Sequence, residues 1–544
     1  MRILAALALV ICLCVPAAHA AGAWRIVKDR WSDADEKGFG DFVAAIGASN
    51  CSSSESCLRD PANPYRATDG RFLDIDVDCA KLPYLLRAYY AWKNGLPFSF
   101  VDAVSGAGGD LRYTKSANRP VGRHDFIDRG QGLNGPNVVR EVIGTVFSGT
   151  YRTDASEHRG VLSDFYSPAL QPGSIRPGTV VYDVNGHVGI AYKVDANGRI
   201  YYMDAHPDFT ITRSVYGAQF GQSPMRLGGG LKNWRPIQLV GVHKDAEGHL
   251  LGGHIALAEN DQIPDFSLVQ YTGTEPNPKN DVRKARFVYN GVELGFYEYV
   301  RVAVSGGRMD FNPIYELQAT MKTLCNDLDD RAQYVDLAIK DGAANRPHPS
   351  RLPDNIYGSE NQEWETYSTP SRDARIKAAF AQFYKDMAEM IDLWVHRDDR
   401  IVYDGYDLQK DLRKTYDKQS KACTITYLNS ASRPAAMTFD DMMRRLFAMS
   451  FDPYNCIELR WGATGEERES CPDSEGKLKW YEAEQRLRNQ PDRTYDIQMG
   501  FDLGELNRHV KGTGLDQPPP IDITSLIDNM PYRIPLDPMK PVGR

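Results

Sequence analysis

A thiol, an imidazole and a carboxylate at separate points of this chain have the residue types of acyl-transfer chemistry. The stretch PGTVVYDVNGHVGIAYKVDANGRIYYMDAHPD, residues 177 to 208, reads as three strands, with His187 opening the second and Asp204 and His206 closing the third. Asp195, Ala196, Asn197 and Gly198 supply turn chemistry between the last two. Because side chains alternate along a strand, His187, Gly189 and Ala191 share one face, and Val188, Ile190, Tyr192 and Val194 the other. Tyr202, Asp204, His206 and Asp208 fall beside His187 across the turn, so an imidazole and a carboxylate meet on a face whose small neighbours leave room for docking.

The thiol is found by counting. The chain opens with Met1-Arg2, an apolar run to Val15 and Ala18-His19-Ala20, which reads as a secretory signal peptide over residues 1 to 20. Neither Cys12 nor Cys14 follows a small residue as a lipid anchor requires, so a periplasmic or secreted protein without a membrane anchor is expected. Of nine cysteines, those two fall in the signal and seven remain. Cys51 and Cys57 flank a Ser-rich loop, Cys456 and Cys471 flank a polar loop, and Cys325 and Cys423 lie on predicted helical segments, which suggests three disulfides and leaves Cys79. Cys79 stands where Leu82, Leu85, Leu86, Tyr89 and Tyr90 begin a helical period that Gly95 and Pro97 end. Asp78 is the natural cap. Pro83 fits only if the helix begins near Leu82 with Cys79 in its entry turn, or if the first turn is distorted. A helix start and a neighbouring imidazolium would both lower the pKa of the thiol, making it more reactive than free cysteine.

Cysteine, then histidine, then a carboxylate on the adjoining strand resembles the papain-like superfamily. Asp78-Cys79, Pro177-Gly178 and His187-Val188-Gly189-Ile190 are similar to motifs of NlpC-type cell-wall peptidases, and Pro64-Tyr65 to their Pro-Tyr segment, which implies that Tyr65 and Asp78 border the site. Leu86-Arg87, Gly95-Leu96-Pro97 and the placement of Asp204 instead resemble transglutaminase-like proteins. Ala80-Lys81 departs from the NlpC-type Ser-Gly, and Val188-Gly189 from the bulky residue of the other branch. Both branches imply a catalytic triad of Cys79, His187 and Asp204; the NlpC type makes His206 the alternative third member.

The elements that must position these groups belong to an α+β core, a Cys-bearing helix packed on an antiparallel sheet bearing His and Asp, over residues 21 to 272. Residues 273 to 281, GTEPNPKND, have linker composition. Beyond them come two edge-like strands near residues 285 to 304 and helices around 313 to 342, 371 to 396, 404 to 420, 438 to 449 and 476 to 488, a mainly helical domain over 282 to 515. Residues 516 to 544 form a Pro-rich tail. Asp33, Asp35, Gly38 and Asp41 imitate a calcium loop, but Lys37 and Ala44 stand where it needs oxygen ligands, and an amphipathic surface helix is expected instead. His243, His249 and His254 lack zinc-ligand spacing, so neither metal nor cofactor is expected. A net charge of −8 from 64 basic and 72 acidic residues, without a basic stripe, argues against nucleic acid and anionic membrane surfaces. The expected function is a cysteine peptidase or amidase acting on a peptide or peptidoglycan amide. Its alternatives are an acyl transferase and a non-catalytic binding or scaffolding protein whose helical domain takes a protein partner.

Overall fold

The computed structural model describes residues 22–69, 73–157, 159–354, 362–367, 369–491 and 499–533. The segment expected to be a signal peptide and the last eleven residues of the expected Pro-rich tail lie outside them. The fold is mixed α/β with a helical carboxy-terminal region. Its centre is one antiparallel sheet built from β1 (Phe165–Tyr166), β2 (Val180–Asp183), β3 (His187–Val194), β4 (Ile200–Ala205), β5 (Ile211–Val215) and β6 (Gly230–Trp234), in the order β1-β6-β2-β3-β4-β5. Ile190 lies opposite Met203 and Ala191 opposite Tyr202; a register irregularity near the turn then brings Lys193 opposite Tyr201.

The two faces of the sheet bury different partners. Val180, Tyr182, Val188, Ile190, Met203 and Ala205 pack with helices α1 (Asp33–Ala48) and α2 (Lys81–Asn94). Val181, Ala191, Ile200, Tyr202 and Leu231 join a second core with α3 (Phe296–Val304), α4 (Pro313–Lys340), α5 (Thr369–Val395) and α6 (Leu408–Ala422). The face carrying the histidine is therefore covered by the helical region, and the division at residues 273 to 281 is not a division of the core. At these contact distances one residue's apolar surface is shared across the two halves, stabilising both by roughly 25 cal/mol per Å² buried.

One local expectation is corrected in part and another holds. The two strands expected near residues 285 to 304 form as Phe287–Tyr289 and Val292–Leu294, paired antiparallel, but residues 296 to 304, FYEYVRVAV, rich in aromatic and β-branched types, form α3, because Tyr299, Val300, Val302, Ala303 and Val304 all turn into the core at helical spacing. α1 is the expected amphipathic helix: Phe39, Phe42, Val43 and Ile46 are buried on one face, Asp33, Ala34, Lys37 and Asp41 are exposed on the other, and Asp35 closes a capping box with Ser32. The three expected disulfides are present, Cys51–Cys57, Cys325–Cys423 and Cys456–Cys471, and Cys79 is free.

Candidate active site

Asp78, not Cys79, does the capping work at the start of α2. Its carboxylate accepts from the backbone N–H groups of Ala80 at 3.1 Å and Lys81 at 3.2 Å, so the helix proper begins at Lys81 and Pro83 falls in its first turn. Cys79 is left in the entry turn, fixed from below by the Tyr151 hydroxyl, which donates to the Ala80 carbonyl at 2.6 Å. Gly95 ends the helix with φ +61°, in the left-handed conformation expected there.

The sulfur reaches the first residues of β3. The Cys79 thiol donates to the Gly186 carbonyl at 3.7 Å, and the Val188 N–H donates to the sulfur. Backbone groups on both sides of His187 thus hold it. Gly186 makes this approach possible: its φ is +93°, and a Cβ there would lie 2.9 Å from the Tyr113 hydroxyl. Cys79 and His187 line one cavity of about 110 Å³ together with Tyr113, Ser148, Asn185 and Trp364.

His187 Nε2 lies 2.5 Å from Asp204 Oδ2. The Thr212 hydroxyl donates to Asp204 Oδ1 at 2.6 Å, which leaves its oxygen to accept from His206 Nε2 at 2.9 Å. One hydroxyl has one proton, so the directions are fixed by this chain: His206 to Thr212 to Asp204, with His187 donating from the other side. His187 is assigned the Nε2–H tautomer, leaving Nδ1 with a bare lone pair. His206 stacks on His187 at 5.4 Å between centroids, and its own Nε2 stands 3.6 Å from the carboxylate. The strand parity therefore brings all three groups together, and Asp204 rather than His206 contacts the His187 ring nitrogen.

Tyr65 is a correction. Its hydroxyl accepts from Asn94 at 2.9 Å, at the far end of α2, and its ring packs among Phe42, Tyr89 and Tyr90. Fourteen helical residues at ~1.5 Å each separate that end from Cys79, so Tyr65 braces the helix and borders nothing.

The electrostatics also depart from expectation. Burial, then the neighbouring Asp78 carboxylate, push the Cys79 thiol up to about 12. Burial, then the positive charge of Arg375, bring His187 down to about 3, and burial with Arg372 brings His206 to about 4. Burial alone would raise Asp204; the two imidazoles, His206 first, hold it well below the ordinary carboxylate value instead. At neutral pH the resting pair is a thiol and a neutral imidazole beside a carboxylate.

Several of these groups come from α5 and were not legible as site residues. Arg372 is ion-paired to Asp208 at 3.1 Å and donates to Thr210 at 2.7 Å, Arg375 donates to Ser371, and Ser371 lines the cavity with Cys79. The only signal was the pair of arginines in SRDARIKAAF, three apart on a helix that otherwise reads as amphipathic.

Among the described residues four groups have donor spacing suited to a cation: in one, Cys456 and Cys471 are joined as a disulfide beside Glu458; another, Asp245, Glu247 and His249, lies toward the surface with His249 Nδ1 2.8 Å from Asp245 Oδ2; the other two are largely buried. The ligand atoms of His187, Asp204 and His206 lie within 4.8 Å of one another, but His187 already donates to the carboxylate and His206 to the Thr212 hydroxyl, and the charges of Arg375 and Arg372 oppose a further cation there. His348, Asp452 and Glu484 form a second group. There His348 Nε2 lies 3.0 Å from Asp452 and 3.7 Å from Glu484; burial opposes its charge, yet the two carboxylates push it up to about 10, so an imidazolium fills the role of the cation.

Comparison with family models, curated proteins and solved structures gives no match for this chain.

Proposed function

We propose that the protein is an exported cysteine hydrolase with a papain-like core, cleaving an amide or peptide bond through Cys79, His187 and Asp204. The observation that carries this reading is the backbone of β3 holding the Cys79 sulfur on both sides of His187, while that histidine is tied to Asp204. Because the resting thiol and imidazole are neutral, attack is coupled to proton transfer. The Cys79 proton passes to His187 Nδ1 as the carbon–sulfur bond forms and the carbonyl electron pair moves onto oxygen. Collapse of that intermediate breaks the carbon–nitrogen bond, and His187 returns the proton to the departing amine. Water, deprotonated by the same imidazole, then releases the acid from the thioester. Asp204 keeps the ring in the productive tautomer and stabilises the transient imidazolium.

For an exported enzyme, the peptide of the cell wall is the abundant amide substrate, and it is the substrate class proposed. A second reading, transfer of the acyl group to an amine, is favoured by one feature: the group on His187 is a carboxylate, as in the transglutaminase-like branch, and not His206. Purified peptidoglycan incubated with and without an added primary amine, its products identified by mass, separates the two. New free carboxyl ends that disappear in Cys79→Ala support hydrolysis; amine-capped ends support transfer. Absence of both, with no acyl adduct on Cys79 from an activated ester, would remove the catalytic reading.

A further inference from the structure

A second cavity lies on β6, away from the Cys79 site. Its volume is about 210 Å³, and its walls include Asn118, Arg119, Thr153, Asp154, Lys232 and Arg235. Lys232 is only 3% exposed, and among the described residues its ammonium has neither a hydrogen bond nor an ion pair. A buried ammonium without a hydrogen-bond acceptor is costly, and natural chains rarely keep one without a use.

The surroundings distinguish Lys232 from its neighbours. Arg235 commits four of its five N–H groups to the protein, donating to the carbonyls of Ser163, Phe165 and Ala258 and to Asn260 Oδ1. Asp154 accepts from the N–H and hydroxyl of Ser156. The space for the amine is built by Gly228, at φ +62°: a Cβ there would meet the Thr153 carbonyl at 2.0 Å and Lys232 Nζ at 3.0 Å. Burial, then the charge of Arg235, lower Lys232 to about 7.

We infer that this cavity binds a small organic carboxylate, whose anionic oxygen takes the ammonium of Lys232 as its partner. The volume suits a molecule of a few carbons. The charges favour a carboxylate over a phosphate, because Asp154 and Glu157 also line the cavity and repel a dianion. Arg119, exposed on the same lining, supplies attraction for the approach. This inference does not rest on the proposed activity of Cys79.

Occupancy is read through the amine itself. Full-length mature protein is labelled briefly with acetic anhydride from pH 6 to 10, and each lysine is quantified by mass spectrometry, with and without 10 mM acetate, propionate or inorganic phosphate. Without ligand, Lys232 should label half-maximally near pH 7. With acetate or propionate it should return toward the ordinary lysine value, and its labelling at pH 7 should fall about tenfold or more, other lysines being unchanged. The same carboxylates should raise the melting temperature of the wild type and leave Lys232→Met, which keeps the volume and loses the charge, unaffected. Protection by phosphate alone, protection by none of the three, or equal thermal stabilisation of Lys232→Met would overturn the proposal.

Discussion

Replacing Asp204 by asparagine should abolish most of the acyl transfer without unfolding the site, and the hydrogen-bond chain says why. The Thr212 hydroxyl donates to Asp204 Oδ1, and Asp204 Oδ2 faces His187 Nε2 at 2.5 Å. In Asp204→Asn the amide oxygen takes the place that satisfies Thr212, so the NH₂ group meets His187. Two donors cannot face one another, and the proton of His187 moves to Nδ1, the nitrogen that should receive the thiol proton. Loss of the correct tautomer in a Cys- or Ser-type triad costs about 10⁴ in rate, or about 5 kcal/mol at 1.36 kcal/mol per tenfold. His206→Asn disturbs only the outer end of the chain and should cost less than about tenfold. The assay is the single-turnover acylation of Cys79 by an activated ester, followed by mass, which requires no knowledge of the natural substrate; circular dichroism confirms folding. Asp204→Asn within tenfold of wild type, with His206→Asn lower by a thousandfold, would refute the assignment of the orienting group.

Alkylation with iodoacetamide without reduction should place one label per chain, on Cys79, and at pH 7 it should proceed at least about a hundredfold more slowly than for free cysteine, since a thiol near 12 ionises far less than one near 8.5. Asp327 is raised to about 8 by burial and then by Asp330, so its contribution to stability is complete below its unfolded value of 3.8 and is lost as pH rises through about 8. Urea midpoints at pH 5 and pH 8 should therefore differ less in Asp327→Asn than in wild type; an unchanged difference contradicts the assignment. A chain ending at residue 272 uncovers Val181, Ala191, Ile200, Tyr202 and Leu231 and should aggregate by light scattering, whereas a soluble, monodisperse fragment would show that the two halves have separate cores.

The parts that were legible in sequence are those governed by local periodicity. Leu82 through Tyr90 at helical spacing, closed by Gly95, specify α2, and alternation from His187 to Val194 specifies which side chains share a face, even though a register irregularity near the turn shifts the distal pairing. Cys325 and Cys423, ninety-eight residues apart, were paired only because the nearer cysteines had nearer partners. What was not legible depends on distant chain. α3 has strand-like composition and becomes a helix because its apolar residues find a core at a period of 3.6. The Tyr65 motif matched in letters, yet the residue packs beside Asn94 and not beside Cys79. No spacing within residues 60 to 210 foretells that Arg372 and Arg375 will stand against His206 and His187.

At the Cys79 thiol, the pull of the helix start is outweighed by burial. A helix start favours a thiolate by about 0.3 to 1 kcal/mol. Raising a thiol from 9.0 to about 12 corresponds to about 4 kcal/mol in the opposite direction, and burial beside Asp78 supplies it. The same covering that suppresses the thiolate also explains the small residues on the His187 face. Gly189 and Ala191 are there because Tyr202 and the helical region pack across them: a Cβ on Gly189 would meet the Tyr202 ring at 2.8 Å. The space beside those small residues is filled by the protein itself and not by a ligand, and approach to the sulfur is confined to the cavity edged by Tyr113, Ser148 and Asn185. In the proposed hydrolysis a substrate entering there would meet a pair that is already neutral, so the charges would develop only once the acyl carbon is in place, with the carboxylate behind the imidazole to stabilise them.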